Sequence, residues 1–157
     1  MFDLIDGLPV HPLVVHAIVV LLPLACLGTL ALVLRPAWRE RFGILVVAVA
    51  AVATVLLPVA TSSGESLEER VGDPGSHAEL GEQLIWFALP LLVLTATLVY
   101  LDRRARGRPT TSSTPLRVVS VLALVVALAA TVQVYRVGES GARAAWGDQV
   151  AASEGGD

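Results

Sequence analysis

Residues 12–34, PLVVHAIVVLLPLACLGTLALVL, decide the fold of this chain, because they contain no Asp, Glu, Lys or Arg. A helix needs about 20 apolar residues to cross a hydrocarbon core of about 30 Å. Three further runs of similar character follow at residues 43–61, 80–101 and 118–137. A backbone in lipid has to satisfy its own hydrogen bonds, so each run is predicted to be a helix. The sequence therefore predicts an all-α, integral membrane four-helix bundle.

The composition supports a membrane protein and excludes several other classes. Hydrophobic residues make up 55% of the 157 residues and charged residues 16%, against about 25% charged in soluble domains. The net charge of −3 says little, because the charges are segregated rather than mixed, and no nucleic-acid partner is predicted. The single cysteine, Cys26, allows neither an internal disulfide nor a cysteine-based metal site. Residues 1–147 are predicted to form a single four-span domain, followed by a disordered tail at residues 148–157.

The distribution of arginine predicts how the bundle lies in the membrane. Short connections make consecutive helices antiparallel, which gives an up-down-up-down bundle. Both connections at one end are rich in arginine: Arg35, Arg39 and Arg41 in the first, and Arg103, Arg104, Arg106, Arg108 and Arg117 in the third. Because positively charged residues stay in the cytoplasm, both termini are predicted to be extracytoplasmic. The predicted location is the inner (plasma) membrane of a bacterium, with the lipid bilayer as a partner.

All three histidines of the chain fall at the predicted extracytoplasmic end of the bundle. Imidazole binds metals or haem, and exchanges protons, near neutral pH. His11 and His16 lie five residues apart, which in a helix separates them by about 140°. His16, one turn into the first span, and His77, at the start of the third, are therefore the better pair between helices. His11, at the mouth of the bundle, is an alternative ligand.

Polar residues from the third and fourth spans are predicted to lie at a similar depth. The residues predicted to surround the ligands are Glu82, Gln83, Gln133 and Arg136. Of these, Gln133 and Glu82 would orient the imidazoles by accepting hydrogen bonds from the ring N–H groups that do not ligate.

Three interpretations of this cluster stay open. In the first, His16 and His77 ligate haem b, or alternatively a metal ion, and the protein transfers electrons to an extracytoplasmic redox partner. In the second, the histidines and carboxylates form a proton-handling network without a cofactor. In the third, they are interfacial caps, and the protein is a non-catalytic membrane scaffold or subunit with no cofactor, arranged as a homodimer or alone. No phosphate-binding loop or catalytic nucleophile motif is present in the sequence, which leaves open whether the protein is an enzyme.

A short similarity suggests that the two helix pairs are related. Gly64-Glu65-Ser66 follows the second span, and Gly138-Glu139-Ser140-Gly141 follows the fourth. Each segment comes after a helix that runs outward. The similarity indicates a two-fold repeat that relates the pair of spans one and two to the pair of spans three and four.

The segment His11-Pro12-Leu13-Val14-Val15-His16, preceded by Leu8-Pro9-Val10, resembles the bacterial membrane-protein family of domain of unknown function 2231. That family is similar in having four spans, an N-terminal His-Pro-x-x-x-His element, a glycine-rich segment after span two and a histidine that opens span three. The matching positions are His11, Pro12, His16, Gly64 and His77, and the resemblance covers nearly the whole chain. Family members continue the second histidine with Phe-Pro, where this chain has Ala17-Ile18. Because related domains occur beside redox modules, the resemblance favours the haem or metal interpretation.

Overall fold

A computed structural model describes residues 4–5, 8–72, 75–106 and 114–154, with side chains for residues 10–69, 72, 75–106 and 114–146. Two short strands pair antiparallel before the first helix. The elements in chain order are β1 (Leu4–Ile5), β2 (Leu8–Pro9), α1 (Val10–Leu34), α2 (Trp38–Val71), α3 (Ser76–Glu82), α4 (Ile85–Ala105) and α5 (Thr114–Glu154).

Four stretches are long and apolar enough to cross a membrane, which confirms the predicted all-α membrane protein. They are Val10–Leu34, Trp38–Glu69, Ser76–Ala105 and Thr114–Trp146. The third of these spans combines α3 and α4, which are separated by a turn at Gln83 and Leu84. The outward faces of the spans carry exposed leucine, valine and isoleucine side chains, as expected of helices that face lipid.

The helices of the second and fourth spans extend beyond the predicted membrane segments. α2 continues past residue 61 to Val71, and α5 continues past residue 137 to Glu154. α5 therefore runs into the segment for which a disordered tail is predicted, and residues 155–157 lie outside the described residues. The extension contains several alanines, the residue with the highest helix propensity.

The four spans form a ring in which each span packs against two neighbours, as in the predicted up-down-up-down bundle. α1 packs against α2 and α5, α4 packs against the same two helices, and α1 and α4 face each other across the centre. α1 and α4 contribute large core side chains, whereas α2 and α5 contribute alanines that allow close approach of the backbones. Fully buried members are Leu22, Leu32, Leu91 and Leu98 in the first set and Ala53, Ala123, Ala127 and Ala130 in the second.

The bundle is built from two similar helix pairs, as the sequence similarity indicates. Thr29 and Thr95, which lie 66 residues apart, share a hydrogen bond of 2.9 Å between their hydroxyl groups across the centre of the ring. The same interval relates His11 to His77. It also relates buried residues of the first and third spans, namely Ile18 and Leu84, Leu22 and Ala88, and Leu32 and Leu98. The first and third spans therefore present the same face to the centre at the same height.

At the end opposite the histidines, which we call the arginine end, a buried charge network joins all four spans. The guanidinium of Arg39 donates to the backbone carbonyl of Leu32 at 2.8 Å. It also donates to Asp102 and to the hydroxyl of Ser120, both at 3.4 Å. Asp102 is buried and accepts two further hydrogen bonds from Arg106, at 2.8 and 3.0 Å. The network ties the start of α2 to α1, α4 and α5.

Asp102 also raises the pKa of Arg106, which lies just beyond the third span. The side-chain hydrogen bond from Arg106 to Asp102 is the largest of the effects that raise the pKa of this guanidinium. A raised pKa favours the charged form of an arginine, which therefore stays cationic at every physiological pH.

Candidate functional site

A cavity of about 240 Å³ lies at the end of the bundle that carries the histidines, which we call the histidine end. Its walls come from α1, α2, α3 and one residue of α5, and they are mainly apolar. Small residues such as Ala60, Gly64 and Gly81 form part of these walls. The polar residues that line the cavity are His11, Thr61, Glu65, Glu68, His77 and Glu82. Two of the three histidines therefore line one cavity.

His11 lies in the first turn of α1 and reaches across to α2. Its Nδ1 atom lies 2.9 Å from the carbonyl oxygen of Ala60 and 3.5 Å from the hydroxyl of Ser63. That hydroxyl donates to the same carbonyl at 3.1 Å. The imidazole rests against Gly64, since a Cβ atom built on this glycine would lie 3.0 Å from His11 Cε1.

His77 lies in the first turn of α3 and reaches across to α5 in the same manner. Its Nδ1 atom lies 3.2 Å from the carbonyl oxygen of Val137 and 3.2 Å from the hydroxyl of Ser140. The Ser140 hydroxyl donates to this carbonyl at 2.9 Å. The imidazole rests against Gly141, where a Cβ atom would lie 2.9 Å from His77 Cε1.

The two histidines are thus held by the same local structure, built twice. In each case one turn of the partner helix offers a carbonyl, a serine three residues later and a glycine directly after the serine. We call each turn a seat, and the two seats are Ala60, Ser63 and Gly64 in α2 and Val137, Ser140 and Gly141 in α5. The two seats therefore make Gly64 equivalent to Gly141. The similarity between Gly64-Glu65-Ser66 and Gly138-Glu139-Ser140 would instead make Gly64 equivalent to Gly138.

The carbonyl oxygens define which ring nitrogen of each histidine carries the proton. A carbonyl only accepts hydrogen bonds, so Nδ1 of His11 and of His77 is protonated and donates. In the neutral imidazole the lone pair then lies on Nε2. Donation from Nδ1 to a backbone carbonyl is also how histidines that ligate metals through Nε2 are commonly held. This hydrogen bonding leaves Nε2 of each ring as the nitrogen that could ligate a metal.

His16 lies on the opposite face of α1. Its side chain is exposed, and its Nδ1 atom bonds the carbonyl of Pro12, one turn earlier in the same helix. It is not among the residues that line the cavity. α1 is continuous from Val10, so the five-residue spacing rotates His16 by about 140° from His11. The structure therefore brings His77 together with His11, and it places His16, the predicted partner of His77, on the outer face.

Gln133 and Arg136, two of the residues predicted to surround the imidazoles, hydrogen-bond to each other. Gln133 is buried, and its amide donates to the backbone carbonyl of Leu80 at 3.1 Å and accepts from Arg136 at 3.3 Å. This pairing ties α5 to α3 beside His77. Glu82 lines the cavity, and Gln83 is exposed in the turn between α3 and α4. The hydrogen bonds that the structure describes for the His11 and His77 rings go instead to the seats.

A second groove, of about 470 Å³, adjoins the cavity and opens beside the exposed Trp86. Leu57, Thr61, Glu65, Gly81 and Glu82 line both spaces. Within the part of the chain that the structure describes, no group of three or more His, Cys, Asp or Glu side chains is placed to hold a metal ion. What the histidine end offers to a cofactor is therefore a pair of imidazoles.

Comparison with known protein families finds a model that covers most of the chain. The sequence model of a family described as a predicted membrane protein, DUF2231, matches residues 7–154. The matched region includes all three histidines and both seats. The match confirms the resemblance that the His-Pro-x-x-x-His element indicates. No curated protein matches the chain, and no solved structure matches it.

Proposed function

The chain belongs to the DUF2231 family of predicted membrane proteins, and we propose that it is a small membrane cytochrome that binds haem b between His11 and His77. The observation that carries the proposal is the pair of equivalent seats. Each seat holds one imidazole by its Nδ1–H group, which leaves the Nε2 lone pair for iron. The two rings come from the first and third spans and line the same cavity. A histidine that only caps a helix needs neither a matched partner nor a cavity.

The number of ligands favours haem over a bare metal ion. Haem needs only one or two ligands from the protein beyond its porphyrin, and the imidazoles of His11 and His77 would supply them. A zinc ion takes four ligands from protein and water, and the described residues offer no group of three. The apolar walls of the cavity, with small residues such as Ala60, Gly64 and Gly81, suit a flat and largely apolar macrocycle. The donor set of the histidine end therefore fits haem.

Bound haem would supply one-electron chemistry, because its iron alternates between the ferric and ferrous states. The residues of the chain bind and orient it. The seats hold the two rings, while Ile18, Leu57 and Leu84, all buried, close the inner end of the cavity against water. The apolar surroundings and the hydrogen bonds to the imidazoles would tune the reduction potential.

The absorption spectrum of the purified protein tests this proposal. We expect the wild-type protein, produced with a haem precursor and purified in detergent, to show a Soret band that shifts on reduction with dithionite. His11→Ala and His77→Ala each remove an axial ligand and are expected to abolish the spectrum of six-coordinate haem. His16→Ala is the matched control, because its side chain is exposed on the outer face of the same helix, and we expect it to keep the band and the haem content.

Three other results would contradict the binding of haem by His11 and His77, and each would support a different interpretation. A wild-type protein with neither pigment nor stoichiometric metal, after growth with both, would support the scaffold without a cofactor. A stoichiometric metal without pigment would assign a metal ion to the same two imidazoles. Loss of the band in His16→Ala, with retention in His11→Ala, would return the ligand pair to His16 and His77. Circular dichroism establishes that each variant is folded.

We further propose that the histidine end and both termini lie outside the cytoplasm of a bacterial inner membrane. The arginines of the opposite connections support this orientation, and an electron partner would then dock at the extracytoplasmic face. Alkaline phosphatase fused after Asp157 is expected to be active, and the same reporter fused after Arg108 is expected to be inactive. The reverse pattern would place the histidines on the cytoplasmic side and contradict the proposal.

A further inference from the structure

Gly64 and Gly141 occupy equivalent positions in the two seats and touch the imidazoles directly. A Cβ atom on Gly64 would lie 3.0 Å from Cε1 and 3.1 Å from Nδ1 of His11, and one on Gly141 would lie 2.9 and 3.1 Å from the same atoms of His77. Favourable contacts between carbon atoms lie at about 3.5–4.0 Å. Each imidazole therefore occupies the space that a side chain at the glycine would fill.

The backbone conformation at Gly64 and Gly141 does not require glycine. Both lie inside helices, α2 and α5, where glycine is less favourable than alanine. Among the glycines that the structure describes, those with a positive φ are Gly72 and Gly75. Glycine is needed at both positions because the imidazole rings lie so close to the backbone there.

We infer that Gly64 and Gly141 are positioning residues for the two axial histidines. The absence of a side chain lets each ring lie against the partner helix, where its Nδ1 reaches the carbonyl one turn earlier. The inference rests on the proposed function, since it assigns the residues that set the orientation of the two ligand rings. The internal repeat gives the two glycines equal roles.

Alanine at either position would push the ring away from the helix by several tenths of an ångström. Such a movement weakens the hydrogen bond at Nδ1, which is 2.9 Å long for His11 and 3.2 Å for His77. Nε2 belongs to the same rigid ring and moves with it. Loss of a contact that orients a metal-ligating histidine typically lowers metal affinity about 10–100-fold.

The chain supplies a matched control for these substitutions. Gly138 lies in α5, three residues before Gly141, and has nothing within 4 Å of an added Cβ atom. In titrations of the apoprotein with haem, Gly64→Ala and Gly141→Ala are each expected to weaken binding about 10–100-fold, while Gly138→Ala leaves it unchanged. The haem that does bind is expected to shift from a six-coordinate, low-spin spectrum toward a five-coordinate, high-spin one.

Nitrogen NMR of the imidazole rings in the apoprotein gives a readout that needs no haem. In the wild type we expect both His11 and His77 to be protonated at Nδ1. Gly64→Ala is expected to change the ring signals of His11 alone, and Gly141→Ala those of His77 alone, whereas a purely structural effect would change both.

The two measurements separate the failure of this inference from the failure of the proposed function. If both alanine variants keep the wild-type tautomers and haem affinity, the glycines do not position the rings, although haem binding stands. If the wild type binds no haem, the proposed function fails, and unchanged NMR signals in the alanine variants would overturn the positioning role as well.

Discussion

Replacing Asp102 by alanine is expected to lower the free energy of unfolding by about 3–5 kcal/mol, as the breaking of a buried ion pair does. The substitution removes the carboxylate that lies 3.4 Å from Arg39 and leaves that guanidinium, whose side chain is 5% exposed, without its counter-charge. The remaining partners of Arg39, the Leu32 carbonyl and the Ser120 hydroxyl, are neutral. Unfolding in mixed detergent micelles, followed by circular dichroism, measures the loss.

Two further variants show whether burial of the charge is the cause. Glu40 also pairs with Arg106, but its side chain is 75% exposed, so Glu40→Ala is expected to cost less than about 1 kcal/mol. The double variant Arg39→Met with Asp102→Leu removes both charges and is expected to recover most of the stability that Asp102→Ala loses. If Asp102→Ala is no more destabilising than Glu40→Ala, the buried pair does not hold the arginine end together.

Enlargement of the buried alanines in α2 and α5 is expected to have the next largest effect. Ala53→Leu and Ala130→Leu should each cost about 1–3 kcal/mol or more, because extra carbon atoms enter a space that is already filled. Both alanines are fully buried, and they face the large side chains of α1 and α4. Since lipid is as apolar as the interior of the bundle, burial of the larger side chain brings no hydrophobic gain that offsets the strain.

Ala48→Leu is the matched control for this prediction. Ala48 lies in α2, five residues before Ala53, and its side chain is exposed on the outer face. The same substitution there is expected to change the free energy of unfolding by no more than about 0.5 kcal/mol. Equal losses in Ala48→Leu and Ala53→Leu would show that the close packing of α2 does not depend on its small residues.

The pairing of the histidines depends on where α1 begins. A helix that starts at Pro12 leaves His11 outside it and makes His16 the better partner for His77. α1 in fact begins at Val10, which places His11 on the same face as Ile18 and Leu22, seven and eleven residues later. Both of those residues are buried in the core, whereas His16 falls on the opposite side, and an apolar run such as residues 12–34 does not show this difference in the sequence.

The seats and the arginine end have no clear signal in the sequence either. The carbonyl of each seat lies far along the chain from its histidine, 49 residues for His11 and 60 residues for His77. Arg39 and Asp102, which are 63 residues apart, each resemble an ordinary charge at the edge of a span. Asp102 follows Thr95 by seven residues and so shares its buried face, but the identity of its partner depends on the packing of α2 against α4.

The number of spans, their helical structure and their approximate bounds can be predicted from the pattern of apolar and charged residues along the chain. These follow from the free-energy cost of placing charges and unpaired backbone groups in lipid, which acts on each segment separately. Tertiary structure alone decided that His11 and His77 share a cavity, that two glycines lie under their rings, and that Arg39 is buried with Asp102. An apolar helix is almost equally stable in lipid whichever of its faces points toward the bundle. The rotation of each helix about its axis, and the helices that it contacts, are therefore set by packing between helices.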